Sequence, residues 1–279
     1  GISAVCGNCG LEDTFRNTRS LNTVMKTDYP VYAGADRPLK RERVHASGVH
    51  GSNGLGDVIV PLPENEVVKE EKAWDALYAE AKRQEGALSL IATGPLTNIA
   101  TAILKYPDLP GLLARILIMG GGMKEGNVTP SAEFNFFADP DAAEIVLRCG
   151  APIVLCPLDV TEQAVLSAED MEEIRTFGNE AGRFVHDILQ HPWKNFHEKL
   201  GHPGVEMHDS CPVLYLEYPE LFRGEEAGVY VETRGEKTLG RSVTDLYSDK
   251  QFPEKNALVL LTVDTKAFAK KLKELLWSI

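Results

Sequence analysis

One stretch constrains this chain more than any other: Met119 to Ala142, reading MGGGMKEGNVTPSAEFNFFADPDA. Just ahead of it, RILIM at residues 115–119 is a short apolar run closed by glycine. That is the pattern of a strand buried on both faces of a parallel sheet. Behind it, Asp139-Pro140-Asp141 followed by AAEIVLRCG sets a capping carboxylate and a first-turn proline at a helix start. Buried strand, long loop and capped helix form the repeating unit of an α/β fold. In an open α/β sheet, the loop leaving a strand's carboxyl end is where ligands bind. Loops of this length inside a compact domain are usually functional.

The loop carries Asn127, Glu133 and Asn135. If the segment is extended, Glu133 and Asn135 share one side while Phe134 and Phe136 point into the protein. A carboxylate beside two amides suits a ligand with several neighbouring hydroxyls, since the carboxylate accepts and the amides do both. The competing account is a loop whose Asx side chains bond its own backbone.

Similar units recur along the chain. Strands are expected in GISAV, PVYAG, ALSLIA (87–92), PIVLCPL (152–158), AGVYVETRG and ALVLLTVD. Helices are expected over LEDTFRNTRSLNTVM, AWDALYAEAKRQ, IATAILKY, SAEDMEEIRTFGNEAGRFVHDILQ, SCPVLYLEY and DTKAFAKKLKELLW. The fold class is therefore α/β, an open and mostly parallel sheet with helices on both faces, in one domain over 1–279. With 43% apolar residues in 279, such a unit can bury a substantial core. The formal charge of −12 argues against a nucleic-acid backbone as partner. No run reaches transmembrane length, so no membrane partner is expected. Five cysteines, an odd number in a sizeable chain, fit a reduced, cytoplasmic protein better than a disulfide scaffold. Cys6 and Cys9 form a CxxC that lacks the second pair zinc would need, and they read as incidental buried thiols.

GGGMKEGNVTPSAEFNFFADPDAA resembles the ribose-binding loop of the inosine-uridine preferring nucleoside hydrolases. The resemblance recurs in order through GISAVCGN, PVYAGADRPL, VHGSNGLGD, LIATGPLTNIA and MHDSCPVLYLEYPELF. It implies a Rossmann-like nucleoside hydrolase fold and hydrolysis of the bond between ribose and a purine or pyrimidine base. It further implies Asn8, Asn127, Glu133 and Asn135 at the ribose and His50 near the base. Asp209 and the Thr93 carbonyl become Ca²⁺ ligands, and His208 becomes the leaving-group contact or acid. Residue types agree with these roles: a hard cation takes oxygen ligands, and histidine gives up a proton near neutral pH. The bland alternatives are a turn asparagine at Asn8, a surface loop histidine at His50, a tight-turn threonine at Thr93 and an N-cap at Asp209. Asp159 reads as a brace for the adjacent loop. Trp193, Phe196, His197 and His202 lie in a segment where aromatics could cover a base, with packing as the simpler account.

One departure stands out. The family opens on a strand and loop of the form DxDxGxDD, which supplies the catalytic base and most calcium carboxylates, and this sequence has no Asp-Asp pair. A first strand is therefore expected to be missing, leaving a gap, a substitute strand or repair by another chain. The alternative function is a catalytically inactive nucleoside- or ribose-binding homologue. The resemblance also implies a homodimer or homotetramer and leans toward the inosine-uridine or pyrimidine-preferring branch.

Overall fold

The structure is a computed structural model describing residues 1–63, 69–198, 201–202, 204–246 and 254–279. In chain order the first half runs β1 (Ile2–Ala4), α1 (Leu11–Met25), β2 (Val31–Ala33), α2 (Ser47–His50), α3 (Ala73–Gln84), β3 (Leu88–Ala92), α4 (Thr97–Lys105), β4 (Leu113–Met119), α5 (Phe134–Ala138) and α6 (Pro140–Leu147). The second half runs β5 (Ile153–Cys156), α7 (Leu158–Thr161), β6 (Val165–Leu166), α8 (Ala168–Arg175), α9 (Glu180–Pro192), β7 (Val205–Glu206), α10 (Ser210–Glu217), β8 (Phe222–Val231), β9 (Ser242–Asp245), β10 (Ala257–Val263) and α11 (Thr265–Trp277). A π-helical stretch, Trp193–Glu198, extends α9.

The main sheet has the order β3-β4-β5-β10-β8-β9. Neighbours from β3 to β10 are parallel, while β8 and β9 are antiparallel. Strand alternation explains its burial on both faces. Ile116 and Ile118 enter a layer with Ile99, Ala100 and Val146 from α4 and α6. Leu117, between them, faces Ile174, Leu214 and Phe268 from α8, α10 and α11. All three strand residues are fully buried, each contributing about 2 kcal/mol of apolar transfer. The mixed α/β architecture with helices on both faces is as the sequence implied.

The expected single helix over 167–190 is instead two. Gly178 takes a left-handed backbone at φ +76, which glycine adopts without penalty. Asn179 then caps α9 by accepting the Gly182 amide at 2.7 Å. Among the described residues no helix is long and apolar enough to cross a membrane.

β1 and β2 pair only with each other, in a separate parallel sheet, and among the described residues no ladder joins β1 to β3. Side chains connect the two sheets. Asn98 of α4, buried, accepts the Ala35 amide at 2.8 Å and donates to the Ala4 carbonyl at 2.9 Å. Gly34 makes room for it, since a Cβ there would fall 2.2 Å from the Asn98 amide atoms. Thr97 donates to Asp139 at 2.7 Å, and Asp139 also accepts the Leu39 amide at 2.8 Å and the Ala142 amide at 3.1 Å. Asp139 is thus the cap of α6 and a tie back to the chain after β2.

Candidate active site

After β4 the chain enters three glycines. A Cβ on Gly120 would sit 2.6 Å from the Phe136 ring, and Gly121 has φ +74, with Ser242 Oγ 2.8 Å from where its Cβ would be. This close approach lets the Gly121 amide donate to Glu133 Oε2 at 2.9 Å. Glu133 also accepts the Asn135 amide at 2.8 Å and the Phe136 amide at 3.1 Å, so it is the N-cap of α5. The extended segment expected here is therefore overturned. A carboxylate that satisfies the first free amides of a turn favours helix over strand. Phe134 and Phe136 are buried all the same.

Each polar residue of the loop divides its bonding. Of the four lone-pair sites on Glu133, three are taken by backbone amides, leaving one on Oε1. Burial pushes its carboxyl up to about 7, against the pull of those amides and of His208. Asn135 donates Nδ2 to the Met119 carbonyl at 3.0 Å and the Thr93 carbonyl at 3.3 Å, which leaves Oδ1 to accept. Asn127 accepts the Phe134 amide at 2.9 Å and keeps its NH₂ at an exposed position. The local-backbone account and the ligand account thus describe different atoms of the same side chains.

His208 lies just before α10, its side chain 30% exposed. Its Nδ1 is 2.7 Å from the Thr161 hydroxyl at the end of α7, and its Nε2 is 3.3 Å from Glu206 of β7. Burial alone would lower its pKa, but the Glu206 carboxylate, with Asp209 and Glu133, raises it. Asp209 occupies the N-cap position of α10, yet its side chain makes no capping bond, so the expected cap is not formed. Surrounding protein pushes its carboxyl up to about 6, eased by His208, although the residue is open to solvent. Glu133 and Asp209 both act on the His208 imidazole and favour its charged form. Thr93, Glu133 and Thr161 stand in the segments following β3, β4 and β5, at the carboxyl ends of three adjacent parallel strands, where open α/β sheets bind ligands.

The other side comes from the smaller sheet. The Asn8 carbonyl accepts the Ala46 amide at 3.0 Å, which holds the start of α2 and hence His50. Burial, then the facing His208 and His191, push the pKa of His50 down. Beyond it Gly51, Gly54, Gly56 and Asp57 all have positive φ, and Asp57 accepts from both the amide and hydroxyl of Ser52 at 2.7 Å. This winding explains the glycines of HGSNGLGD. α9 packs on it, and His191 Cβ is 3.1 Å from where a Cβ on Gly56 would lie. The side chains of Phe196 and His197 lie outside the described residues.

Asp209 and the Thr93 carbonyl are oxygens of the kind a hard cation takes, but two donors fall short of the roughly six to eight Ca²⁺ prefers. One lone pair of the Thr93 carbonyl already faces Asn135. Among the described residues no three His, Cys, Asp or Glu groups are placed to hold a metal ion. The residues described do not make a complete calcium site. Cys6 and Cys9 are buried free thiols, and burial raises both. Asp159 accepts the Met123 amide at 2.7 Å and braces the glycine loop.

Sequence reasoning missed Thr161, Glu206 and His191. Glu206 was within reach, since it stands only two residues before His208. Nothing in the sequence ties Thr161 to a histidine on another segment.

A family model described as inosine-uridine preferring nucleoside hydrolase matches residues 1–270. The pyrimidine-specific ribonucleoside hydrolase RihA of Escherichia coli K12 is 40% identical over 271 residues, covering 96% of this chain and 86% of that protein. Among solved structures, the purine-preferring ribonucleoside hydrolase from Gardnerella vaginalis superposes with TM-score 0.92 at 29% identity, over 100% of this chain and 89% of that one. A plant nucleoside hydrolase, the PpNRh1 enzyme, gives TM-score 0.92 at 27% identity, over 99% of this chain and 90% of that one.

Proposed function

Because the chain belongs to the inosine-uridine preferring nucleoside hydrolase family, we propose that it hydrolyses the N-glycosidic bond of ribonucleosides, with pyrimidine nucleosides preferred. The observation that carries the reading is the loop after β4, where backbone amides of Gly121, Asn135 and Phe136 hold the buried Glu133, together with an Asp209 beside His208 that caps no helix. Glycosidic cleavage passes through a transition state with positive charge on the sugar ring. Asp209, and Glu133 once it ionises above about pH 7, supply negative charge beside it, and a low-dielectric wall makes that charge count. The free NH₂ of Asn127, Oδ1 of Asn135 and remaining lone pair of Glu133 match hydroxyls that both donate and accept. His208 and His50 stand where the departing base would need a proton or a hydrogen bond.

The pyrimidine preference rests on the 40% identity to a relative named pyrimidine-specific, against 29% to one named purine-preferring. The same reading includes a Ca²⁺ dependence, a homodimer or homotetramer, a free small nucleoside as the ligand, and a cytoplasmic location with neither nucleic acid nor membrane as partner. No catalytic step is routed through the cation.

The test is release of reducing sugar from uridine, cytidine and inosine, with chelator and after added Ca²⁺. It is run on this chain and, where the gene encodes residues ahead of Gly1, on the longer form. Uridine is expected to turn over fastest, and chelator to abolish the reaction. Nucleoside binding without sugar release from either form would overturn the hydrolase reading in favour of the binding homologue.

A further inference from the structure

Glycine runs have the most backbone freedom to lose, yet the one that leaves β4 is bonded at every backbone polar group from Gly121 to Met123. The Gly121 amide donates to Glu133 Oε2 at 2.9 Å, and its carbonyl accepts the Leu158 amide at 2.9 Å. The Ser242 hydroxyl accepts the Gly122 amide and donates to the Gly122 carbonyl, both at 2.9 Å. The Met123 amide donates to Asp159 at 2.7 Å, and its carbonyl accepts from the Arg241 guanidinium at 3.1 Å. Much of this hold comes from the chain entering β9, Gly240-Arg241-Ser242. Ser242 is 2% exposed, and its register with Val231 of β8 fixes its place. Gly240 lies against α5, since a Cβ there would fall 2.7 Å from Phe137 Cα and 3.0 Å from its amide nitrogen. The same turn thus abuts both the glycines that open the loop and the helix that Glu133 caps. It is anchored in turn, the Gly240 amide on the Glu232 carbonyl at 2.8 Å and the Arg241 amide on the Thr238 carbonyl at 3.0 Å.

We infer, on the nucleoside hydrolase reading, that Arg241 and Ser242 are positioning residues for sugar recognition, holding the glycine run where its Gly121 amide sets Glu133. Neither side chain bonds to Asn127, Glu133 or Asn135, so their effect on a sugar passes through the glycine run. Without Ser242 the Gly122 amide and carbonyl are left unbonded in a buried place, and the run shifts to satisfy them. Glu133 and the α5 turn that it caps then move off the sugar hydroxyls, and a misplacement of about 1 Å costs about 100-fold.

The test compares Ser242→Ala, Arg241→Met and Arg241→Lys with the parent on uridine and its 2′-, 3′- and 5′-deoxy analogues. Ser242→Ala is expected to lower kcat/KM for uridine about 10- to 100-fold. On the analogue that lacks the hydroxyl held by the loop, the same substitution costs less than about 3-fold, because the interaction it spoils is already gone. An analogue that is not cleaved is scored by its inhibition constant against uridine. Arg241→Met gives the same pattern more weakly, and Arg241→Lys, which keeps a donor, recovers most of the loss. Unchanged uridine turnover in Ser242→Ala overturns the inference. So does an equal loss on uridine and all three analogues, which marks a general structural role. If Ser242→Ala does not fold, the Arg241 pair is judged by the same two criteria. Failure of the parent on every nucleoside overturns the hydrolase reading instead. The brace is then judged by amide exchange. At least about 10-fold faster exchange at 121–123 and 133–136 in Ser242→Ala, with 113–119 unchanged, supports it, and equal rates overturn it.

Discussion

Glu133→Gln tests whether the loop after β4 is built around a buried acid. Burial lifts the Glu133 carboxyl from 4.5 to about 7, which at about 1.4 kcal/mol per pH unit corresponds to about 3 kcal/mol as an upper bound. Since the folded value lies above the unfolded one, the folded state holds the proton longer. Below about pH 4.5 the group is neutral in both states and no stability is lost. Between 4.5 and about 7 the unfolded chain ionises first, and stability falls by up to that amount. Glutamine cannot ionise and shows no such slope. Its NH₂, however, opposes at least one of the amides of Gly121, Asn135 and Phe136, which costs about 1–3 kcal/mol at every pH. Urea midpoints from pH 4.5 to 8 should therefore show the variant clearly weaker in acid, with the gap closing or reversing toward pH 8. A constant gap, or one that widens with pH, would refute the buried-acid argument.

Further outcomes follow from the same geometry. Asp209→Ala should leave thermal stability unchanged or raised, because the carboxylate caps nothing, while sugar release falls at least about 100-fold; a large drop in Tm would show that it serves the helix after all. Gly56→Ala meets the Ile188 carbonyl at 3.0 Å and His191 at 3.1 Å from a φ of +60, so about 1–2 kcal/mol of stability goes and KM for uridine rises as the His50 loop shifts. Calorimetry with steady-state kinetics checks both effects. Asp139→Ala strands the Leu39 and Ala142 amides and the Thr97 hydroxyl, lowering stability by about 3 kcal/mol, or about 8 °C in Tm.

The α/β alternation, the buried strand at 113–119 and the Asp139 cap were legible in the sequence because each depends on local pattern. What failed depended on contacts made elsewhere. Glu133 reads as one side of a strand until Gly121, twelve residues earlier in the chain, folds back to donate to it. Asp209 has the residue type of a cap, but its backbone is already helical and its side chain makes no capping bond. Gly178 lies within a run that reads as one helix, and Asn179 taking the Gly182 amide makes it a break. Thr161 carries no motif because its partner is 47 residues away, across the β6–β7 ladder.

Asn8 and His50 lie around the two-stranded sheet, while Thr93, Glu133, Thr161 and His208 belong with the six-stranded body. Each sheet is laced internally by backbone, and side chains join the two through Asn98 and through Asp139, which takes the Leu39 amide and the Thr97 hydroxyl. Deuterium uptake at residues 2–8 and 31–35 should accelerate on Asn98→Ala, with 113–119 indifferent to the change.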